Sequence, residues 1–202
     1  MRTAAAAVML VAATGALAAP VPPPVRPEAP ASKPTLKAKP ASRLALGRFQ
    51  IEIERTTLYD VLEAAKVGAI VQRGDLHYLC LTDAEAGRRE RLWLVATPPG
   101  GSTRIITRVA AELLPEGTKP SIECPQLPPV MRPASLDRGV WVGMTETALR
   151  QKLGKPSAVS GEWLDYHYAG TTKGKGETVS VLDVLARDGK VQALDASHVT
   201  SR

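Results

Sequence analysis

The sequence predicts an α+β fold of two tandem units, each a short helix layer packed on an antiparallel β-meander. Three observations carry this reading. Short runs of alternating apolar and polar residues are separated by Gly, Pro and Asp-Gly turn signals. Each half of the chain holds one stretch with apolar residues at helical spacing behind a threonine. A shift of 88 residues lays one half on the other without a gap, placing Thr57 on Thr145, Val61 on Leu149, Tyr78 on Tyr166 and Gly101 on Gly189.

Residues 1–18 read as a secretory signal. Arg2 supplies the charged start, Ala4–Ala13 a short apolar core, and Ala16-Leu17-Ala18 a small-residue cleavage site. The apolar run is too short for a transmembrane span, which needs about 20 residues. Residues 19–43 form a basic, proline-rich linker expected to be extended, with a reach on the order of 75 Å at the polyproline rise. It reads either as a tether to an anionic envelope surface or as a solubilising spacer.

The first unit spans 44–114. Phe49–Glu54 alternates as a half-buried strand. Thr56 or Thr57 can cap a helix, because a hydroxyl accepts a hydrogen bond from an orphan N–H at a helix start. Leu58, Val61, Leu62 and Ala65 then share one helical face, and Gly68 ends it. Residues 69–72, 76–81, 91–96 and 104–111 read as strands. A connector, 115–135, carries six prolines, which exclude regular structure from most of it.

The second unit spans 136–202. Val140–Val142 is a short strand or strand-like entry, Thr145 caps a helix, and Ala148, Leu149, Lys152 and Leu153 follow at helical spacing. Gly154 suits the C-terminal cap and Pro156 prevents continuation. Residues 157–160, 163–168, 178–185 and 190–196 read as strands. The turn Arg187-Asp188-Gly189 is a strong hairpin signal, and 169–176 form a basic hairpin tip.

Export makes Cys80 and Cys124 an even pair in an oxidising compartment, which favours a disulfide; the alternative is two buried thiols. They lack the C-x-x-C spacing of a zinc or redox site. The formal net charge of +6 falls to +5 with the loss of Arg2. That mild excess favours anionic surfaces by long-range attraction, with ordinary solubility charge as the plainer account. Nucleic acid is disfavoured by export and by the scarcity of aromatic side chains for stacking.

Gly143-Met144-Thr145, Leu149, Leu153-Gly154-Lys155-Pro156, Tyr166-His167-Tyr168 and Arg187-Asp188-Gly189-Lys190-Val191 together resemble the BamE/SmpA-type bacterial envelope proteins, whose fold is shared with the β-lactamase inhibitor protein. The resemblance covers the last third of the chain; the first unit joins it through the 88-residue shift. It implies helices layered on antiparallel sheet and a protein-binding role without catalysis or cofactor.

No nucleophile elbow or P-loop order is present. Asp165 and His167, at i and i+2, share a strand face with Trp163. They could orient a general base, but an exposed polar face for partner contact is the simpler reading. A metal site from His77, His167 and Asp165 would require the units to face each other. The expected function is thus an exported protein-binding module that contacts another envelope protein or an anionic cell-wall or outer-membrane polymer through Trp163, Asp165, His167, Lys173 and Lys175. The alternatives are a periplasmic hydrolase using Asp165 and His167, or an envelope spacer.

Overall fold

The computed structural model of the chain describes residue 23 and residues 32–84, 87, 89–97, 104–172 and 176–201. The proposed signal segment, most of the proline-rich linker, Arg88 and the hairpin tip bearing Lys173 and Lys175 lie outside the described residues.

Among the described residues the chain forms β1 (Arg43–Leu46), β2 (Phe49–Glu52), α1 (Leu58–Ala65), β3 (Val71–Arg73), β4 (Leu76–Asp83), β5 (Glu90–Ala96), β6 (Arg108–Leu113), β7 (Ala134–Leu136), α2 (Glu146–Leu153), β8 (Ala158–Ser160), β9 (Trp163–Thr172), β10 (Gly176–Arg187) and β11 (Lys190–Ser201). Single 3-10 turns at Pro129–Met131 and Asp137–Gly139 flank β7.

The tandem α+β architecture expected from sequence is not what forms. The protein is predominantly β, and its main body is one antiparallel eight-stranded sheet ordered β3-β4-β5-β6-β11-β10-β9-β8. The two meanders are therefore halves of a continuous sheet rather than separate units. The physical reason is twofold. Each α-helix is only eight residues long and buries a narrow stripe, Leu58, Val61 and Ala65 in α1 and Leu149 and Leu153 in α2, too little to make a helical layer. Meanwhile β6 and β11 would each leave a row of unpaired backbone groups if the halves stood apart. They pair with each other instead, Ala110 opposite Asp195 and Ala111 opposite Leu194.

The local readings at the helices rest on their caps. Thr57 and Asp60 form a reciprocal capping box, each side chain accepting from the other's backbone N–H. Thr145 Oγ1 accepts from the Ala148 N–H. The first helix ends at Lys66 in the left-handed conformation, two residues before Gly68. Val140–Val142 forms no strand; Val140 only bridges back to Leu136.

Alternation assigns the two faces of the sheet. The inner face presents Leu79, Leu81, Leu92, Leu94, Val109, Ala111, Leu194, Ala196, Leu182, Val184, Leu164 and Tyr166, all buried in one core. Both helices close over this face, as does a second, three-stranded sheet ordered β2-β1-β7 that brings Leu44, Leu46, Ile51 and Leu136 to the same core. Gly47, in the β1–β2 turn, has φ +56, and a Cβ there would lie 2.4 Å from the Val130 carbonyl oxygen. Only glycine combines that conformation with that approach.

On the outer face of the first half, Tyr78, Cys80, Trp93, Val95 and Ala110 form a smaller core covered by Cys124. Cys80 and Cys124 are joined in a disulfide across 44 positions of sequence. The connector is thereby held to the sheet, and Pro125–Leu127 extends the edge of β4: the Thr82 N–H donates to the Pro125 carbonyl at 2.8 Å and the Leu127 N–H to the Thr82 carbonyl at 2.7 Å.

Replacing Cys80 and Cys124 together by Ala should lower unfolding stability by about 4 kcal/mol, the loop-closure entropy of a cross-link of this span, read by urea denaturation. Tyr166 gives the opposite sign. Its hydroxyl is buried with no hydrogen-bond partner among the described residues. Tyr166→Phe should therefore keep or raise stability, by up to about 1 kcal/mol, in the same measurement.

Candidate functional site

The outer face of the second half differs from that of the first. Strand register lays its residues in transverse rows across β9, β10 and β11. Asp165, Asp183 and Asp195 make one row. His167, Val181 and Ser197 make the next, and Ala169, Val179 and Val199 the one beyond. On the other side of the aspartates lie Trp163, Leu185 and Ala193. Apolar side chains thus flank a carboxylate row on both sides. Val199 is 54% exposed, and Trp163, Val179, Val181 and Leu185 are half-buried.

The carboxylates are not free surface charges. Asp165 and Asp183 are 6% and 7% exposed. Asp195 is bridged by Arg108 of β6, whose Nε donates to Oδ1 at 2.7 Å and whose Nη2 donates to Oδ2. This ion pair spans the junction between the two halves of the sheet. Burying a carboxylate without such partners would be costly, and Asp195 and Asp165 are both tied into hydrogen bonds.

The described end of the expected linker supplies a partner of Asp165. Residues 32–42 lie against the second half as a strap instead of extending away from it. Ser32 Oγ donates to Asp165 Oδ1. The Ser32 carbonyl oxygen lies 2.7 Å from His167 Nδ1. The strap then turns around the side of β9, where the N–H groups of Thr35 and Leu36 share the His167 carbonyl oxygen, each at 3.1 Å. It reaches the inner face at Ala41, which is fully buried and accepts from Ser180 Oγ at 2.7 Å. Ser42 is fixed by Asp137, which accepts from its N–H and its hydroxyl.

Trp163, Asp165 and His167 do share one face, as the spacing indicates, but only Trp163 retains a half-open position without a strap contact. Lys173 and Lys175 lie outside the described residues. Ser32, Asp165 and His167 bring the three side-chain types of a hydrolytic triad within reach of one another, but in an order that does not relay a proton. Nδ1 must carry hydrogen to donate to the Ser32 carbonyl, so it cannot take the proton of Ser32 Oγ, 3.3 Å away. The hydroxyl donates its hydrogen bond to Asp165 instead, and among the described residues no carboxylate is hydrogen-bonded to the imidazole. His77 sits on the opposite face of the sheet, in the first half, so it cannot join His167 and Asp165 around a metal. Among the described residues no group of three or more His, Cys, Asp or Glu side chains is placed to hold a metal ion.

A second histidine anchors the strap from the inner face. His198 is 6% exposed, with Nε2 3.5 Å from Glu54 Oε2 and 3.4 Å from Lys39 Nζ. Glu54 is itself held by Thr200, whose N–H and hydroxyl donate to its carboxylate at 2.6 and 2.7 Å. Burial pushes the imidazole below the usual histidine value, Lys39 adds to that push, and Glu54, Asp137 and Glu52 oppose it. Sequence periodicity carries no sign of this cluster, because Lys39 and His198 are 159 positions apart.

Comparison of the chain with protein-family models, with curated proteins and with solved structures gave no match. Among the described residues no helix is long and apolar enough to cross a membrane.

A depressed histidine pKa means that the unfolded chain binds the proton more readily than the folded one. The stability from neutral His198 is present above the ordinary histidine pKa of about 6.5 and is lost as pH falls below it. The urea midpoint should therefore drop between pH 7.5 and pH 5, and His198→Gln should flatten that part of the dependence.

Proposed function

We propose that the chain is an exported, non-catalytic module of the bacterial cell envelope that binds another protein through the outer face of β9, β10 and β11. The observation that carries this reading is the unequal covering of the sheet. The first half has its outer face sealed by the disulfide-held connector. On the second half, partly exposed Trp163, Leu185, Val181, Val179 and Val199 flank a row of carboxylates of which Asp165 and Asp195 are held by hydrogen bonds. Apolar side chains around fixed polar groups suit a protein interface, whose affinity comes from a few buried anchors and whose register comes from polar contacts.

The compartment rests on three supports of different kinds: the signal-like pattern of residues 1–18, the disulfide, which persists in oxidising surroundings, and the resemblance of the Gly143–Pro156 motif to BamE/SmpA-type envelope proteins. The protonation order at Ser32, His167 and Asp165 weighs against the hydrolase alternative.

The full chain used as bait in an envelope extract should retain a defined partner, and Trp163→Ala combined with Val199→Glu should lose it by at least tenfold. Both positions have solvent access, so the variant should fold, which circular dichroism checks. A partner set unchanged by the double substitution would reject this face as the interface.

A further inference from the structure

The strap forms one wall of a cleft of about 590 Å³ beside the end of α2. Its second wall is the end of α2 and the loop that follows, from Leu153 to Ser157, and Arg138 enters from the turn after β7. The charged side chains that line it are Lys37, Arg138 and Lys155, all cationic; no carboxylate lines it. None of the three forms an ion pair among the described residues. The three come from separate segments and are exposed, and cations of one sign lining a cleft favour an anion there.

Arg138 is fixed in place. It adopts φ +61, ψ 15, a conformation that costs a non-glycine residue roughly 1 kcal/mol or more. Reciprocal hydrogen bonds to the end of α2 hold it there: Arg138 Nη1 donates to the Lys152 carbonyl at 3.3 Å, and Lys152 Nζ donates to the Arg138 carbonyl at 2.7 Å. A guanidinium has five N–H donors, so most of the Arg138 fork stays available. Thr35 Oγ1 and Ser157 Oγ, 2.7 Å apart, add hydroxyls that also line the cleft. Leu153 and Pro156, both buried, give it apolar surface.

We infer that this cleft binds a phosphate monoester, with Arg138 as the bidentate donor, Lys37 and Lys155 as flanking charges, and Leu153 and Pro156 against the organic part of the ligand. The volume exceeds that of a bare phosphate and leaves room for an attached moiety. Because Lys37 belongs to the strap, the bound ligand ties the strap to α2. The residues substituted to test this site, Lys37 and Lys155, differ from those substituted to test the partner-binding face, so the two proposals fail separately.

Titration of the full chain with glycerol phosphate, and with phosphatidylcholine vesicles with and without phosphatidic acid, distinguishes a soluble ester from a lipid headgroup. Saturable binding to either source should weaken at least tenfold in Lys37→Glu combined with Lys155→Glu. It should stay within twofold in Arg48→Glu combined with Arg73→Glu, which makes the same change of net charge at exposed positions outside the cleft. Hydrogen exchange over residues 32–41 should slow when the ester is bound. Equal weakening in both variants would show a general charge effect and overturn the site, as would the absence of saturable binding to every probe.

Discussion

The pairing of β6 with β11 is the contact on which the remaining architecture rests. It is the one place where the two meanders meet edge to edge, and it makes a single sheet long enough to carry both helices and a second small sheet on one face. Arg108 and Asp195 clamp it from the outer side, a two-pronged ion pair with both partners largely shielded from water. The inner face contributes Val109, Ala111, Leu194 and Ala196 to the common core at the same rungs. Hydrogen bonding, charge and apolar burial therefore act at one junction.

Once the sheet is continuous, its two faces have different fates. The inner face needs cover along its whole length, and two short helices cannot provide it, so β1, β2 and β7 complete the roof. The outer face is divided. A covalent bond fixes the connector over one half, while hydrogen bonds from Ser32 hold the strap on part of the other. The proposed interface is what these two coverings leave open, and the cationic cleft is a by-product of the path the strap takes to get there.

Much of this was legible in the sequence because it is local. Thr57 and Thr145 announce their helices through short-range capping, and Asp188-Gly189 marks the last hairpin. Each half does hold a helix followed by four strands, as the 88-residue shift orders them. What it could not supply was the pairing between halves, since strand alternation names the face a residue points to and not its neighbour. Strand alternation puts Trp163, Asp165 and His167 on a common face, yet Asp165 is also bonded to Ser32, 133 positions away, in a stretch whose proline content argues for an extended spacer. β1 begins at the last residue of that stretch, and β7 straddles the end of the proline-rich connector, so proline content masks both. The basic cleft joins Lys37, Arg138 and Lys155, which no spacing rule relates.

The route of the strap around β9 has a consequence for how the protein behaves among its own copies. An open sheet ends in strands whose outward N–H and C=O groups can recruit another chain, and long flat ends are the hazardous ones. Here both terminal strands, β3 and β8, are only three residues long, leaving most of the longer strand behind each uncovered. Pro125–Leu127 occupies part of that space beside β4, and Thr35–Leu36 part of it beside β9. Both stoppers are proline-flanked segments that cannot themselves continue a ladder. One is secured by a covalent bond and the other is not, so a chain clipped within residues 32–42 would acquire a sticky end at β9 while remaining closed at β4, and self-association would proceed from that end alone.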